Sequence, residues 1–295
     1  MAYFQHQDVK FHYEEMGQGE TIIALHGFSL NSSYWMQTGV AKALSKNYRV
    51  IALDMRAHGK TRVEGNDKGY HVDTMVNDID ALADHLAIKK FHLLAHSTGG
   101  MVAVRYAINQ SYLQAQKNHH QPHEKRLLSL IVSNSSSATK FMNSNFLTDD
   151  IAMEMLAQSI ENLGWRQIVE GLKFLPNPLF TGISRAKNSN ALFDKLYELM
   201  RGGDHKDLAL FVRRFYNDPD PQKEGMATIN IPSLIISGEL DSMFIQSSQL
   251  MANTIPNAKY SLCENAGHML AIESPDWLVN QVEDFLNDAQ SQNVA

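Results

Sequence analysis

The run Phe91-His92-Leu93-Leu94-Ala95-His96-Ser97-Thr98-Gly99-Gly100 constrains this chain more than any other segment. An apolar stretch suited to a buried strand ends at a serine, and small residues suited to a helix start follow at once. A strand that passes so abruptly into a helix needs a sharp, strained turn at the serine. Such a turn lifts the hydroxyl above the sheet. It also crowds the backbone, so the positions two residues either side must be small. They are Ala95 and Gly99. The general pattern is Gly-x-Ser-x-Gly, and Ala95 departs from its first glycine by one methyl.

The rest of the chain supplies the sheet that such a turn requires. Two alternating segments, Ala2 to His6 and Lys10 to Glu14, read as an antiparallel strand pair. Continuous apolar runs at Thr21 to Leu25, Tyr48 to Leu53, Phe91 to Ala95, Leu128 to Val132, Ser233 to Ser237 and Ala258 to Cys263 suit strands covered on both faces. Helical patterns separate them. Asp73 to Leu86 has apolar residues at Met75, Val76, Ile79, Leu82, Ala83 and Leu86, close to the helical period. Gly99 to Ile108 is a small-residue helix, and Ser274 to Leu286 is a last helix with Pro275 in its first turn after a serine cap. The expected fold class is α/β: a mostly parallel sheet of the eight-stranded type, helices on both faces, and an inserted helical cap.

The cap is expected at 141–225, where the alternation stops. This stretch is helical and rich in Met, Leu and aromatic residues, with breaks at Pro176, Pro178 and Gly202-Gly203. It would divide a core made of 1–140 and 226–295, with Asp218-Pro219-Asp220-Pro221 as exit linker. A second insertion, Asn109 to Lys125, is polar and holds His119, His120 and His123. Their spacing could bind a metal, but Asn118, Gln121 and Pro122 indicate a solvated loop, and no metal is expected.

Composition excludes several classes. The 295 residues carry a formal net charge of -6, so no basic field exists to hold nucleic acid. The single cysteine, Cys263, excludes an intrachain disulfide and a Cys-based zinc site, and reads as an inert thiol in a buried strand. The first residues contain no charged segment leading into an apolar run, and no stretch of about 18 apolar residues occurs anywhere. No membrane span and a cytoplasmic location are therefore expected. No Gly-rich dinucleotide loop follows the first strand, so no organic cofactor is expected either.

A serine hydroxyl is a poor nucleophile at neutral pH. It needs a base, and the base needs a carboxylate to fix its tautomer and stabilise its charged form. The C-terminal part offers both. Leu234-Ile235-Ile236-Ser237-Gly238-Glu239-Leu240-Asp241 is an apolar strand whose end carries Asp241, with Glu239 as a nearby alternative acid. Glu264-Asn265-Ala266-Gly267-His268-Met269 is a turn between the last strand and the last helix, which puts His268 at the same sheet edge. A catalytic triad of Ser97, Asp241 and His268 is expected. Ala24-Leu25-His26-Gly27-Phe28 ends a strand in His-Gly. The backbone NH groups of Phe28 and Thr98 would form an oxyanion hole. His26 reads as a loop-orienting residue, with direct substrate contact as the alternative.

Taken together, these segments and Asp54-Met55-Arg56-Ala57-His58-Gly59 resemble the α/β-hydrolase superfamily, in the capped branch of esterases, lactonases and carbon–carbon bond hydrolases. That family usually has Gly where Ala57 stands. Its haloalkane dehalogenases and epoxide hydrolases place Asp at the elbow, and Ser97 argues against both. The resemblance implies hydrolysis of a small or medium hydrophobic carboxylic ester through an acyl-enzyme. Alternatives are cleavage of ring-fission diketones, acyl transfer, cofactor-free perhydrolysis, or a receptor-like ligand-binding role. Within the cap, Met153, Met155, Leu156, Trp165, Phe174, Leu175 and Phe180 could line an acyl pocket, and Trp165 and Phe174 are the leading substrate-binding candidates. The expected partner is a small hydrophobic molecule. Oligomeric state is not encoded in any feature identified.

Overall fold

The computed structural model describes residues 2–65, 68–115, 125–140, 149–175 and 177–294. Each apolar run becomes a strand: β1 (Ala2–His6), β2 (Val9–Met16), β3 (Glu20–Leu25), β4 (Tyr48–Leu53), β5 (Arg62–Val63), β6 (Phe91–His96), β7 (Leu127–Ser133), β8 (Ser233–Gly238) and β9 (Ala258–Cys263). They form one nine-stranded sheet in the order β1-β2-β4-β3-β6-β7-β8-β9, with β5 beside β2. The extra strand relative to the expected sheet is β5. It spans two residues, too few for an alternating pattern to show.

The six strands from β4 to β9 along this path run parallel, while β1, β2 and β5 pair antiparallel. Strands β3, β6, β7 and β8 are buried along nearly their whole length. The edge strand β9 is not, because among the described residues no strand pairs beyond it, and most of its side chains are partly or fully exposed. Cys263, at its inner end, is nevertheless buried.

The helices follow the predicted faces with shifted ends. Val72–His85 buries Met75, Val76, Ile79 and Leu82. Thr98–Ala115 continues past Ile108 and takes in the first part of the predicted polar insertion. His119, His120 and His123 lie outside the described residues. The last helix extends from Pro275 to Val294.

The strand order creates the place where chemistry can occur. The chain lays β4 on one side of β3 and then crosses back to lay β6 on the other. At such a reversal the loops leaving the two strands part in opposite directions and leave a crevice at their carboxyl ends. The loop after β3 begins at His26, and the turn after β6 is Ser97.

Between β7 and β8 stand the helices Asp149–Asn162, Trp165–Leu172, Thr181–Arg185, Ser189–Met200 and His205–Phe215. Arg213 joins the first and last of these, pairing with Glu154 at 2.7 Å and Glu161 at 2.6 Å. The two chain crossings that carry this segment lie side by side. The Lys140 NH donates to the Asp218 carbonyl (2.8 Å), and the Asp218 NH donates to Thr139 Oγ1 (3.0 Å). Ser137 Oγ donates to the Pro221 carbonyl at 2.6 Å. The segment 141–148, at the predicted start of the cap, is outside the described residues.

Ala57, where the family resemblance implies glycine, has a φ of +69°. A left-handed conformation costs an L-residue about 1–2 kcal/mol, while glycine adds roughly 0.4–1 kcal/mol of unfolded-state entropy. Ala57→Gly should therefore raise stability by about 0.5–1 kcal/mol. Urea unfolding checks this. A lower midpoint would mean that the buried methyl contributes more through packing than the strain costs.

Candidate functional site

The Ser97 turn is as strained as the sequence implies. Its φ is +52°, in the left-handed region. Backbone bonds over-determine it: its NH donates to the Ser133 carbonyl (3.0 Å), and its own carbonyl accepts from Ser135 Oγ (2.6 Å). The helix start then passes against the β3 loop, with the Gly99 NH on the His26 carbonyl at 3.0 Å. A Cβ at position 99 would lie 2.5 Å from that same carbonyl oxygen, so only glycine fits. Ala95 is fully buried within β6 and its methyl is accommodated.

The turn holds Ser97 Oγ 3.0 Å from His268 Nε2. On the other side of the ring, His268 Nδ1 is 2.7 Å from Asp241 Oδ2. The His268 ring is stacked on Phe244, with centroids 5.0 Å apart, and flanked by His96 at 4.7 Å. Burial pushes the His96 ring well below its ordinary value, so a neutral imidazole stands beside the candidate base.

Asp241 is completely buried. Burial alone would raise its carboxyl pKa. The adjacent His268, the Asn134 amide at 2.8 Å and the Phe244 NH outweigh that and hold it below its ordinary value. Glu239, the alternative acid, accepts the Asn265 NH at 2.8 Å and does not reach the ring. The loop bearing His268 is clamped by a residue that pattern alone did not mark. Glu273 accepts the NH of Gly267 (2.6 Å) with one oxygen and the NH of Met269 (2.9 Å) with the other.

The NH groups of Phe28 and Thr98 are the candidate oxyanion donors. Thr98 opens its helix, where the first NH groups have no helical acceptor. Phe28 sits in a turn closed by the Leu30 NH on the Gly27 carbonyl at 3.2 Å. Neither NH is used in a backbone bond among the described residues. Both residues, with Ser97 and His268, line a cavity of about 190 Å³. Met153, Leu156, Trp165, Leu196 and Met200 form its wall on the side of the helices that follow β7.

This arrangement can be set beside known proteins. A family model described as the alpha/beta hydrolase fold matches residues 20–275. The chain belongs to the α/β-hydrolase family. Monoacylglycerol lipase ABHD6 of Bos taurus is 26% identical, over 99% of this chain and 83% of its own. Non-heme chloroperoxidase CPO-A1 of Kitasatospora aureofaciens is 24% identical, over 91% of this chain and 92% of its own. The solved structure of MenH from S. aureus aligns with a TM-score of 0.77 at 24% identity, covering 95% of this chain and 98% of that one. The last likeness is one of fold.

Within this α/β hydrolase, two substrate-binding expectations are corrected. Phe174 is 82% exposed and does not line the cavity. It follows the end of the Trp165–Leu172 helix, where the chain has left the cavity wall and faces solvent. Met155 and Leu175 are exposed as well. Nor does His26 reach the cavity. Its Nδ1 lies 2.7 Å from the Gly27 carbonyl, and its Nε2 accepts the Met55 NH at 3.1 Å. It is buried and neutral, and it ties the β3 loop to the β4 loop. Trp165 does line the cavity. Residues that the sequence reading missed are Asn134, Glu273 and Tyr216. They lie in segments without a motif, and only the folded chain brings them to the site. No helix among the described residues is long and apolar enough to cross a membrane.

The depressed Asp241 pKa has a thermodynamic consequence. The folded value lies below the unfolded one, so the stabilisation is present above the unfolded value, near 3.8, and is lost as pH falls through the folded one. Asp241→Asn should therefore lose stability less steeply than wild type below about pH 4. Urea midpoints taken from neutral to acidic pH test this, and parallel acid limbs would contradict it.

Proposed function

We propose that this α/β hydrolase is a serine hydrolase that cleaves uncharged, small or medium hydrophobic carboxylic esters through an acyl-enzyme. The observation that carries the reading is the continuous chain from Asp241 through His268 to Ser97 Oγ, at 2.7 and 3.0 Å, opening on an apolar cavity. In the proposed reaction His268 takes the Ser97 proton as Oγ attacks the ester carbonyl. The Phe28 and Thr98 NH groups hold the oxyanion, and two preset donors of this kind are worth on the order of 10²–10³ in rate each. His268 then protonates the departing alcohol. Water, deprotonated by the same imidazole, attacks the acyl-enzyme and frees the acid. Asp241 stays ionised throughout and keeps the imidazole in the required tautomer. Residues 141–225 act in this reading as the cap over the core formed by 1–140 and 226–295.

Substrate charge separates the main reading from the carbon–carbon alternative. Ring-fission diketones carry a carboxylate. The described cavity lining contains no Lys or Arg to meet one, and burying an unpaired charge costs several kcal/mol. An uncharged acyl chain needs no such partner, which agrees with the relative named monoacylglycerol lipase. Size gives the range. A dry apolar cavity of about 150 Å³ holds one benzene, so about 190 Å³ suits an acyl group of roughly six to eight carbons.

Ser97→Ala should reduce p-nitrophenyl hexanoate turnover on the order of 10³-fold or more with the circular dichroism spectrum unchanged. A folded variant that keeps more than about a tenth of the activity excludes Ser97 as nucleophile. Across a panel of p-nitrophenyl esters, kcat/KM should rise with acyl length, peak near six to eight carbons and then fall. The mono-succinyl ester should react about 100-fold or more slowly than the butyryl ester of similar length. Trp165→Ala should move the peak to longer chains, whereas Phe174→Ala should leave it in place. Equal rates for the succinyl and butyryl esters would remove the charge argument and reopen the diketone reading.

A further inference from the structure

The two candidate oxyanion donors come from different elements: Phe28 lies in the loop after β3, and Thr98 opens the helix after β6. Their side chains meet a single helix. Tyr216, at the end of the His205–Phe215 helix, places its hydroxyl 2.7 Å from Thr98 Oγ1. The Tyr216 ring also stands edge-on to the Phe28 ring, with centroids 6.1 Å apart and planes at 79°. Phe211, on the same helix, stacks on Phe28 at 6.0 Å and 17° and meets the Tyr216 ring edge-on at 6.1 Å, which closes a triangle of rings. Two residues beyond Tyr216 the chain is fixed to the core, where Asp218 bonds Thr139, Lys140 and Arg105. Tyr216 is therefore held from behind, and it grips both elements at once. Burial raises its phenol pKa, so the hydroxyl keeps its proton.

We propose that Tyr216 is a positioning residue for the oxyanion hole: it sets the Thr98 and Phe28 NH groups in register through the hydroxyl bond and the ring contact. The proposal rests on Ser97 being the nucleophile. Tyr216 also lines the cavity wall, so the helix that shapes the acyl pocket also aligns the donors. A misaligned donor weakens a contact made most strongly in the transition state, so the effect falls on kcat and not on KM.

The test uses the full chain, with active sites titrated by a fluorophosphonate. Tyr216→Phe removes the hydroxyl bond and keeps the ring against Phe28. It should lower kcat about three- to tenfold, the scale of one neutral hydrogen bond, with KM within about twofold. Affinity for an alkyl boronic acid, which forms a tetrahedral adduct on the nucleophile, should fall by the same factor. Thr98→Val removes the same bond from the other side and reads it independently should Tyr216→Phe fail to fold. The double variant should be no worse than the poorer single variant, because only one bond is lost. Unchanged kcat and boronate affinity in folded, titratable Tyr216→Phe would overturn the proposal, as would losses that multiply in the double variant. Failure of the fluorophosphonate to label wild-type Ser97 would instead overturn the serine-hydrolase reading on which the proposal stands.

Discussion

Everything at this site depends on one backbone conformation, the left-handed φ of Ser97. An L-residue adopts it only when the surroundings leave no alternative. Here they come from three directions. Strand β7 supplies the Ser133 carbonyl below the turn, the segment after β7 supplies Ser135 Oγ, and the β3 loop presses against Gly99. The strain is thus distributed over contacts that also define the sheet's central strands. A chain that relaxed the turn would have to separate β6 from its neighbours.

The turn was legible because its chemistry is local. An apolar run, a serine and two glycines stand within ten consecutive residues, and each is explained by the one beside it. Asp241 and His268 were legible for a related reason. Each stands in the turn that follows a strand, and strand ends in a parallel sheet face one edge. The helix ends were less so: the Thr98–Ala115 helix outruns its apolar pattern because half-buried polar residues such as Asn109 and Gln110 tolerate a helix without announcing one. Phe174 shows the opposite error. Its apolar character suggested burial, but the Trp165–Leu172 helix had already ended, and the ring points to solvent. Asn134, Glu273 and Tyr216 could not be read at all. Their partners are distant in sequence or lie on backbone atoms, which carry no residue-type signal.

Core and inserted helices obey different rules. In the core, identity at a few positions is dictated by close approach, as at Gly99, and by paired polar groups, as between Asp241 and Asn134. Among the inserted helices, the cavity wall requires only apolar bulk, and Met, Leu and Ile meet that need interchangeably. Relatives of similar overall resemblance accordingly bear names as different as lipase and chloroperoxidase.

The two chain crossings that carry these helices are bonded to one another through Thr139, Lys140 and Asp218, and through Ser137 and Pro221. The core's own path from β7 to β8 is thus nearly closed before the insert begins. In an engineering sense the molecule has a socket. A foreign helical segment of any length, supplied with ends a hydrogen bond apart, could be grafted there without altering the spacing of the strands that hold Ser97, Asp241 and His268. The helices between the crossings can then be exchanged as one segment, provided that the replacement keeps the Tyr216 contacts with Thr98 and Phe28.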